Sequence, residues 1–184
     1  VAPCPANWNN TGNAMMVDDG RPDCIVVGAG PAGLVLSILL ARQGVKVILL
    51  EMREDLRKYF RGDIVHPSTL QVLSDLGWAD EFLQFPHGVS DRLWQFDRGK
   101  PFALADFRKS NSKWPYAVFG RQWQLLELLK SKADTCPTLE IRMGCRVVGL
   151  IQDEGRCLGV RWARGGDEGA ARGRSGWSSI DHSP

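Results

Sequence analysis

The apolar residues of this chain fall into short blocks whose rhythm changes along its length. Cys24-Ile25-Val26-Val27 is an unbroken run of strand length, and it ends in the glycine-rich stretch Gly28-Ala29-Gly30-Pro31-Ala32-Gly33. The next block, Leu34 to Gln43, predicts an apolar helix closed by Gly44. Val45 to Leu50 reads as a second buried strand that stops on Glu51. Met52 to Phe60 is charged and aperiodic, as a surface loop is. Pro67 suits the first turn of a helix whose apolar face is Leu70, Leu73 and Leu76, with Gly77 as its stop. Trp78 to Phe85 predicts a short helix ended by Pro86.

From Ser90 the period becomes two. Leu93, Gln95 and Asp97 alternate with Arg92, Trp94 and Phe96, Asp97-Arg98-Gly99-Lys100 turns the chain, and Pro101 to Phe107 returns, so a hairpin is expected. A polar loop, Lys109 to Lys113, leads to a short strand at Tyr116 to Phe119. Gly120 then opens a helix from Arg121 to Ala133 with Leu125, Leu126, Leu128 and Leu129 on its buried face. Leu139 to Met143 and Arg146 to Ile151 are strand-like, and Asp153-Glu154-Gly155 turns the chain into Arg156 to Trp162. Strands alternating with helices place the chain in the α/β class.

This rhythm divides the chain. Residues 1–22 carry no period and are expected to be disordered; residues 1–14, ahead of Met15-Met16, are expected to lie upstream of the native start. No basic region followed by an apolar one marks a secretory signal there. Residues 23–163 form the folded domain, with a hairpin insertion at about 90–115. Residues 164–184, rich in Gly, Ser and Arg, are expected to be a disordered tail.

Composition narrows the function. The chain has 184 residues, 43% of them hydrophobic, enough for one ordinary core. A net charge of +2 with interspersed signs argues against nucleic acid or an anionic membrane as partner, and no apolar run is long enough for a membrane span. The five cysteines include no Cys-x-x-Cys pair, so reduced thiols in a cytoplasmic setting are expected, and no metal site. His66 and His87 lack the neighbours of a catalytic triad or a metal site; His66 is expected to cap a helix, and no catalytic residue is assigned.

The glycine stretch carries the chemistry. Gly28 permits the sharp turn out of the strand, Gly30 leaves room for a pyrophosphate to approach the backbone, and Gly33 lets helix and strand pack closely. The exposed amides at the helix start and the helix dipole favour negative phosphates, and the extended form of the motif, with Pro31-Ala32 inside it, resembles the FAD-binding entry of flavoproteins that carry two dinucleotide folds. Glu51 is placed to accept hydrogen bonds from the adenosine ribose hydroxyls and to oppose a 2′-phosphate. Spacing alone leaves FAD and NAD open.

Two further patches, Arg61-Gly62 ahead of His66-Pro67-Ser68-Thr69-Leu70 and Gly120-Arg121-Gln122 at a helix start, follow the glycine stretch in order. Together the three resemble class A flavin-dependent monooxygenases of the p-hydroxybenzoate hydroxylase type, over roughly residues 23–162. The resemblance implies a Rossmann-like FAD-binding βαβ domain with part of an inserted β-rich substrate domain. It implies that Arg61 contacts the FAD, that Arg121 reaches its ribityl or phosphate region, and that a backbone group at Val147 meets the adenine side. It also implies NAD(P)H as transient electron donor and O2-dependent hydroxylation of a small aromatic or apolar substrate, with the flavin carrying the oxygen chemistry. The family's later Asp-Gly and Gly-Asp motifs do not follow Trp162, so the chain resembles an N-terminal part and is expected to be inactive as given. A non-catalytic FAD- or ADP-binding remnant and an NAD-dependent dehydrogenase domain are the alternatives, with an epoxidase or flavin reductase as nearby relatives.

Overall fold

A computed structural model describes residues 21–56, 64–164 and 167–173. In chain order the elements are β1 (Cys24–Val27), α1 (Pro31–Arg42), β2 (Val47–Leu50), β3 (Ile64–Val65), α2 (Pro67–Asp75), α3 (Ala79–Phe82), β4 (Gly88–Ser90), β5 (Arg92–Asp97), β6 (Lys100–Asp106), β7 (Ala117–Phe119), α4 (Gln122–Ala133), β8 (Leu139–Arg142), β9 (Arg146–Asp153), β10 (Arg156–Arg164) and β11 (Asp167–Arg172). The chain divides into two compact units, residues 1–56 with 129–184, and residues 57–128.

The first unit is built on a parallel sheet in the order β1-β2-β8. All four residues of β2 are buried, as a central strand covered on both faces requires. One face takes α1, whose buried residues Leu34, Ser37, Ile38 and Ala41 recur at helical spacing. Pro31 sits in the first turn of this helix, and Gly44 ends it with φ of 80°. Thr138 Oγ1 donates to the carbonyl of Ala41 at 3.0 Å, which ties the helix end to the entry of β8.

The other face takes the antiparallel sheet β11-β10-β9. Ile48 and Leu50 of β2 share a core with Cys145, Val160 and Ala171, and Ile25, Val147 and Trp162 pack against it. Since side chains alternate along a strand, Val47 and Leu49 turn the opposite way, toward α1. The parallel sheet is thus the middle layer between a helix and an antiparallel sheet.

Here the structure corrects the expected tail. Residues 167–172 form β11, paired with β10 from Gly159↔Arg172 to Arg164↔Asp167. The pairing depends on residues too small to show a period. A Cβ at Gly159, whose φ is +156°, would overlap the carbonyl oxygen of Ala171, and one at Gly169 would overlap the Trp162 indole.

The second unit holds a small antiparallel sheet in the order β3-β7-β4 and the hairpin β5-β6. The hairpin turn has φ of 48° at Arg98 and 79° at Gly99, the left-handed pair that a two-residue connection demands. At its base the Arg108 guanidinium bonds Asp106 at 2.8 and 2.7 Å and holds that carboxyl down at about 2. Its strands leave Trp94, Phe96, Phe102 and Leu104 exposed. The strands β3 and β4 had no sequence expectation. His66 stands at the α2 N-cap position as expected, but its side chain makes no capping bond; the ring meets Phe107 edge-on at 5.9 Å.

Gly159→Ala is expected to lower stability by about 1–3 kcal/mol through overpacking and backbone strain, read as a shift of the urea midpoint. Gly88→Ala, whose Cβ would meet only Phe119 Cβ at 3.9 Å, is the control and should stay within about 0.5 kcal/mol. Equal shifts in the two variants would show that the close approach of β10 to β11 is not what holds the second layer.

Candidate functional site

The site grows from the point where β1 ends. Gly28 leaves the strand with φ of 100°, and its N–H donates to the carbonyl of Leu50 at 2.7 Å, so the turn starts level with the end of β2. A side chain at Gly33 would overlap the carbonyl oxygen of Gly28 and come to 3.7 Å from Val26 Cγ1. The third glycine therefore sets how closely α1 approaches the strand. Gly30 is different. Its φ of −70° and ψ of 175° suit any residue, and a Cβ there would meet nothing within 4 Å among the described residues. No backbone demand explains a glycine at 30; it leaves an exposed backbone beside the first amides of α1.

Glu51 stands next to this turn, at the end of β2, and is only 6% exposed. Its Oε2 accepts from the Ala29 N–H at 2.7 Å and its Oε1 from the Arg53 N–H at 3.0 Å. Its backbone is held as well: the N–H donates to the carbonyl of Arg142 at 2.9 Å, and the carbonyl accepts from Cys145 N–H at 2.8 Å. The sequence led to the expectation of a ribose acceptor at Glu51; the structure shows Glu51 gripping the glycine turn, which spacing does not reveal, because Ala29 lies 22 residues away. A carboxylate has roughly four acceptor sites, so two remain after these bonds.

The structure brings Gly28, Gly30, Pro31, Ala32, Gly33 and Glu51 together within the first unit. Val147 lies in β9, with its side chain against the core and its backbone opposite Trp162 in the ladder. The residue of that segment bonded to Glu51 is Cys145. Arg121 is exposed, immediately ahead of α4, and belongs to the second unit. Arg61 lies outside the described residues. His87 Nδ1 is 2.7 Å from the Phe85 carbonyl, a local contact. Burial, and then the Asp23 charge, push the Cys24 thiol up, which disfavours a thiolate nucleophile there.

The residues present fit a dinucleotide. An open backbone at Gly30 precedes a helix of 12 residues whose first amides carry partial positive charge, and a buried carboxylate with spare acceptor sites ends the neighbouring strand.

Known proteins resemble this chain in sequence and in fold. The chain is 29% identical over 150 residues to 6-methylpretetramide 4-monooxygenase of Streptomyces rimosus, covering 82% of this chain and 36% of that protein. It is 32% identical over 155 residues to squalene monooxygenase 1,1 of Brassica napus, covering 82% of this chain and 30% of that one. The solved structure of p-nitrophenol 4-monooxygenase from Pseudomonas putida shares the fold, with a TM-score of 0.70 at 21% identity over 84% of this chain and 39% of its own. The chain thus spans about a third of the length of the relatives it matches. Residues 21–170 match the family described as FAD binding domain, and the chain belongs to that family.

Proposed function

We propose that this chain is the part of a flavin-dependent monooxygenase that grips the adenosine and diphosphate of FAD. The observation that carries this reading is the glycine turn bonded to Glu51, with Gly30 left open beside the start of α1. Gly28 to Gly33 hold the diphosphate through backbone amides, and Pro31 and Ala32 start the helix that aims those amides. Glu51 accepts the ribose hydroxyls. The roles of Arg61 and Arg121 at the middle of the cofactor, and of Val147 beside the adenine, rest on the resemblance alone. When bound, FAD supplies the redox and oxygen-transfer chemistry, with NAD(P)H as electron donor.

Relatives named for hydroxylation of aromatic compounds and for squalene oxygenation support a planar or apolar small molecule as the substrate class. No described helix is long and apolar enough to cross a membrane. The four free cysteines among the described residues favour a reducing, cytoplasmic setting. A second reading is that the chain as given, which spans 36% and 30% of two relatives, holds FAD or ADP without turnover. Alone, the chain is expected to retain FAD weakly and to show no substrate-stimulated NAD(P)H oxidation. Steady turnover by the purified chain would overturn the second reading.

Gly30→Val is expected to weaken FAD and ADP binding at least tenfold, measured by titration calorimetry, with little change in thermal midpoint. A Cβ at this position meets no described protein atom within 4 Å, so the substitution bears on the ligand before it bears on the fold. Unchanged affinity would remove the diphosphate from this turn.

Glu51→Ala is expected to act even without ligand. It leaves the buried Ala29 N–H without its acceptor, at about 1–3 kcal/mol of stability, and it lowers FAD affinity as well. Urea unfolding of the ligand-free protein checks the first effect. If stability is unchanged, the turn does not depend on the carboxylate.

A further inference from the structure

The outer face of the antiparallel sheet carries the inference furthest. Its inner face packs on the core through Val147, Val160, Trp162 and Ala171. Arg146, Arg161 and Arg172 each stand next to one of these in sequence and turn the other way, because side chains alternate along a strand. All three are exposed. The ladder sets this face in rows across β9, β10 and β11: Ile151-Gly159-Arg172, Gly149-Arg161-Ala170 and Arg146-Ala163-Glu168. The arginines lie on the diagonal, one per strand, and diagonal neighbours stand about 7–8 Å apart. Among the described residues none of the three has an ion-pair partner. Arg161 is also positioned. A Cβ at Gly149 would come to 2.9 Å from its Nη2, 3.4 Å from its Nε and 3.6 Å from its Cζ, so the guanidinium lies over Gly149 in space that a glycine leaves.

We infer that this diagonal is a docking surface for a short acidic segment of another protein, bound extended across the three strands. Neighbouring guanidiniums repel one another, and an anionic partner relieves that repulsion. In an extended chain every second side chain shares a face, at about 6.8 Å, so alternate carboxylates match the spacing of the arginines. Each guanidinium can then take a carboxylate in the two-pronged geometry that suits it. The basic row is short. By register Glu168 borders it beside Ala163, and the exposed Asp153 and Glu154 border it at the β9–β10 turn. A nucleic-acid strand would run past the arginines onto these acids, and the rows hold no aromatic ring on which its bases could stack. Attachment to an anionic membrane adds buried apolar side chains to charge, and the positions around the arginines are mostly Gly149, Gly159, Ala163 and Ala170.

The test uses the full chain and, as probe, a fluorescein-labelled heptapeptide of alternating threonine and glutamate, followed by fluorescence anisotropy. The expected result is saturable one-to-one binding that falls as sodium chloride is raised and weakens at least tenfold when glutamine replaces glutamate in the peptide. Arg146→Gln, Arg161→Gln and Arg172→Gln are each expected to weaken binding at least threefold. Arg156→Gln removes the same charge outside the row and should leave affinity within twofold of the parent. Gly149→Ala changes no charge but displaces the Arg161 guanidinium, and should weaken binding at least twofold. These are surface changes, so each variant should keep the parent's thermal midpoint, which checks the fold. The proposal is overturned if the peptide does not bind, if its glutamine version binds equally, or if the losses follow net charge alone, with Arg156→Gln as costly as the row variants and Gly149→Ala without effect. It is also overturned if oligothymidylate or phosphatidylserine vesicles bind more tightly than the peptide with the same dependence on the three arginines, which would assign the face to phosphate. No flavin enters this measurement, so its outcome is separate from the cofactor reading.

Discussion

The carbonyl oxygen of Gly28 and any side chain at residue 33 would compete for one place, and the glycine at 33 resolves the conflict in favour of the carbonyl. That single approach fixes the distance between the start of α1 and the end of β1. Everything at the site follows from it. With α1 close, the chain can pass from strand to helix in a few residues, the first amides of the helix open beside Gly30, and the Ala29 N–H comes within 2.7 Å of Glu51. A larger residue at 33 would push the helix out and separate the turn from β2.

The second layer serves the same end from the opposite face. Glu51 can hold the turn only if its own backbone is fixed, and its carbonyl accepts from Cys145 at the entrance to β9. Cys145 is in turn locked into the core with Ile48, Leu50, Val160 and Ala171. The chain Ala29, Glu51, Cys145 therefore links the glycine turn to the antiparallel sheet through two hydrogen bonds and one apolar cluster. Loosening β11 should be felt at the site, although no residue of β11 belongs to it.

The glycine turn, α1 and β2 were legible in the sequence because each rests on a local constraint: a left-handed Gly28, an apolar run from Leu34 closed by Gly44, an apolar strand that stops on Glu51. The hairpin was legible through its period of two and its Arg98-Gly99 turn. Strand β11 was not. Its inward position is Ala171, its close approaches are made by Gly159 and Gly169, and a stretch so rich in Gly and Ala has the composition of a tail. Strands β3 and β4, of two and three residues, are too short to show any period. The clamp role of Glu51 was not legible, because its donor at Ala29 is near only after β1 and β2 have paired.

That clamp bears on which dinucleotide the site accepts. A mobile surface carboxylate can swing away from a 2′-phosphate and so discriminates weakly. Glu51 is 6% exposed and has an amide on each oxygen, so turning it away would break both bonds and leave the buried Ala29 amide without its acceptor. On the proposed reading, its remaining acceptor sites meet the ribose hydroxyls without release of the turn. A 2′-phosphate would meet a fixed negative charge that the fold cannot move without loosening its own glycine turn. Selection for an unphosphorylated ribose is then a consequence of folding stability as much as of recognition, and it is already in place before any ligand arrives.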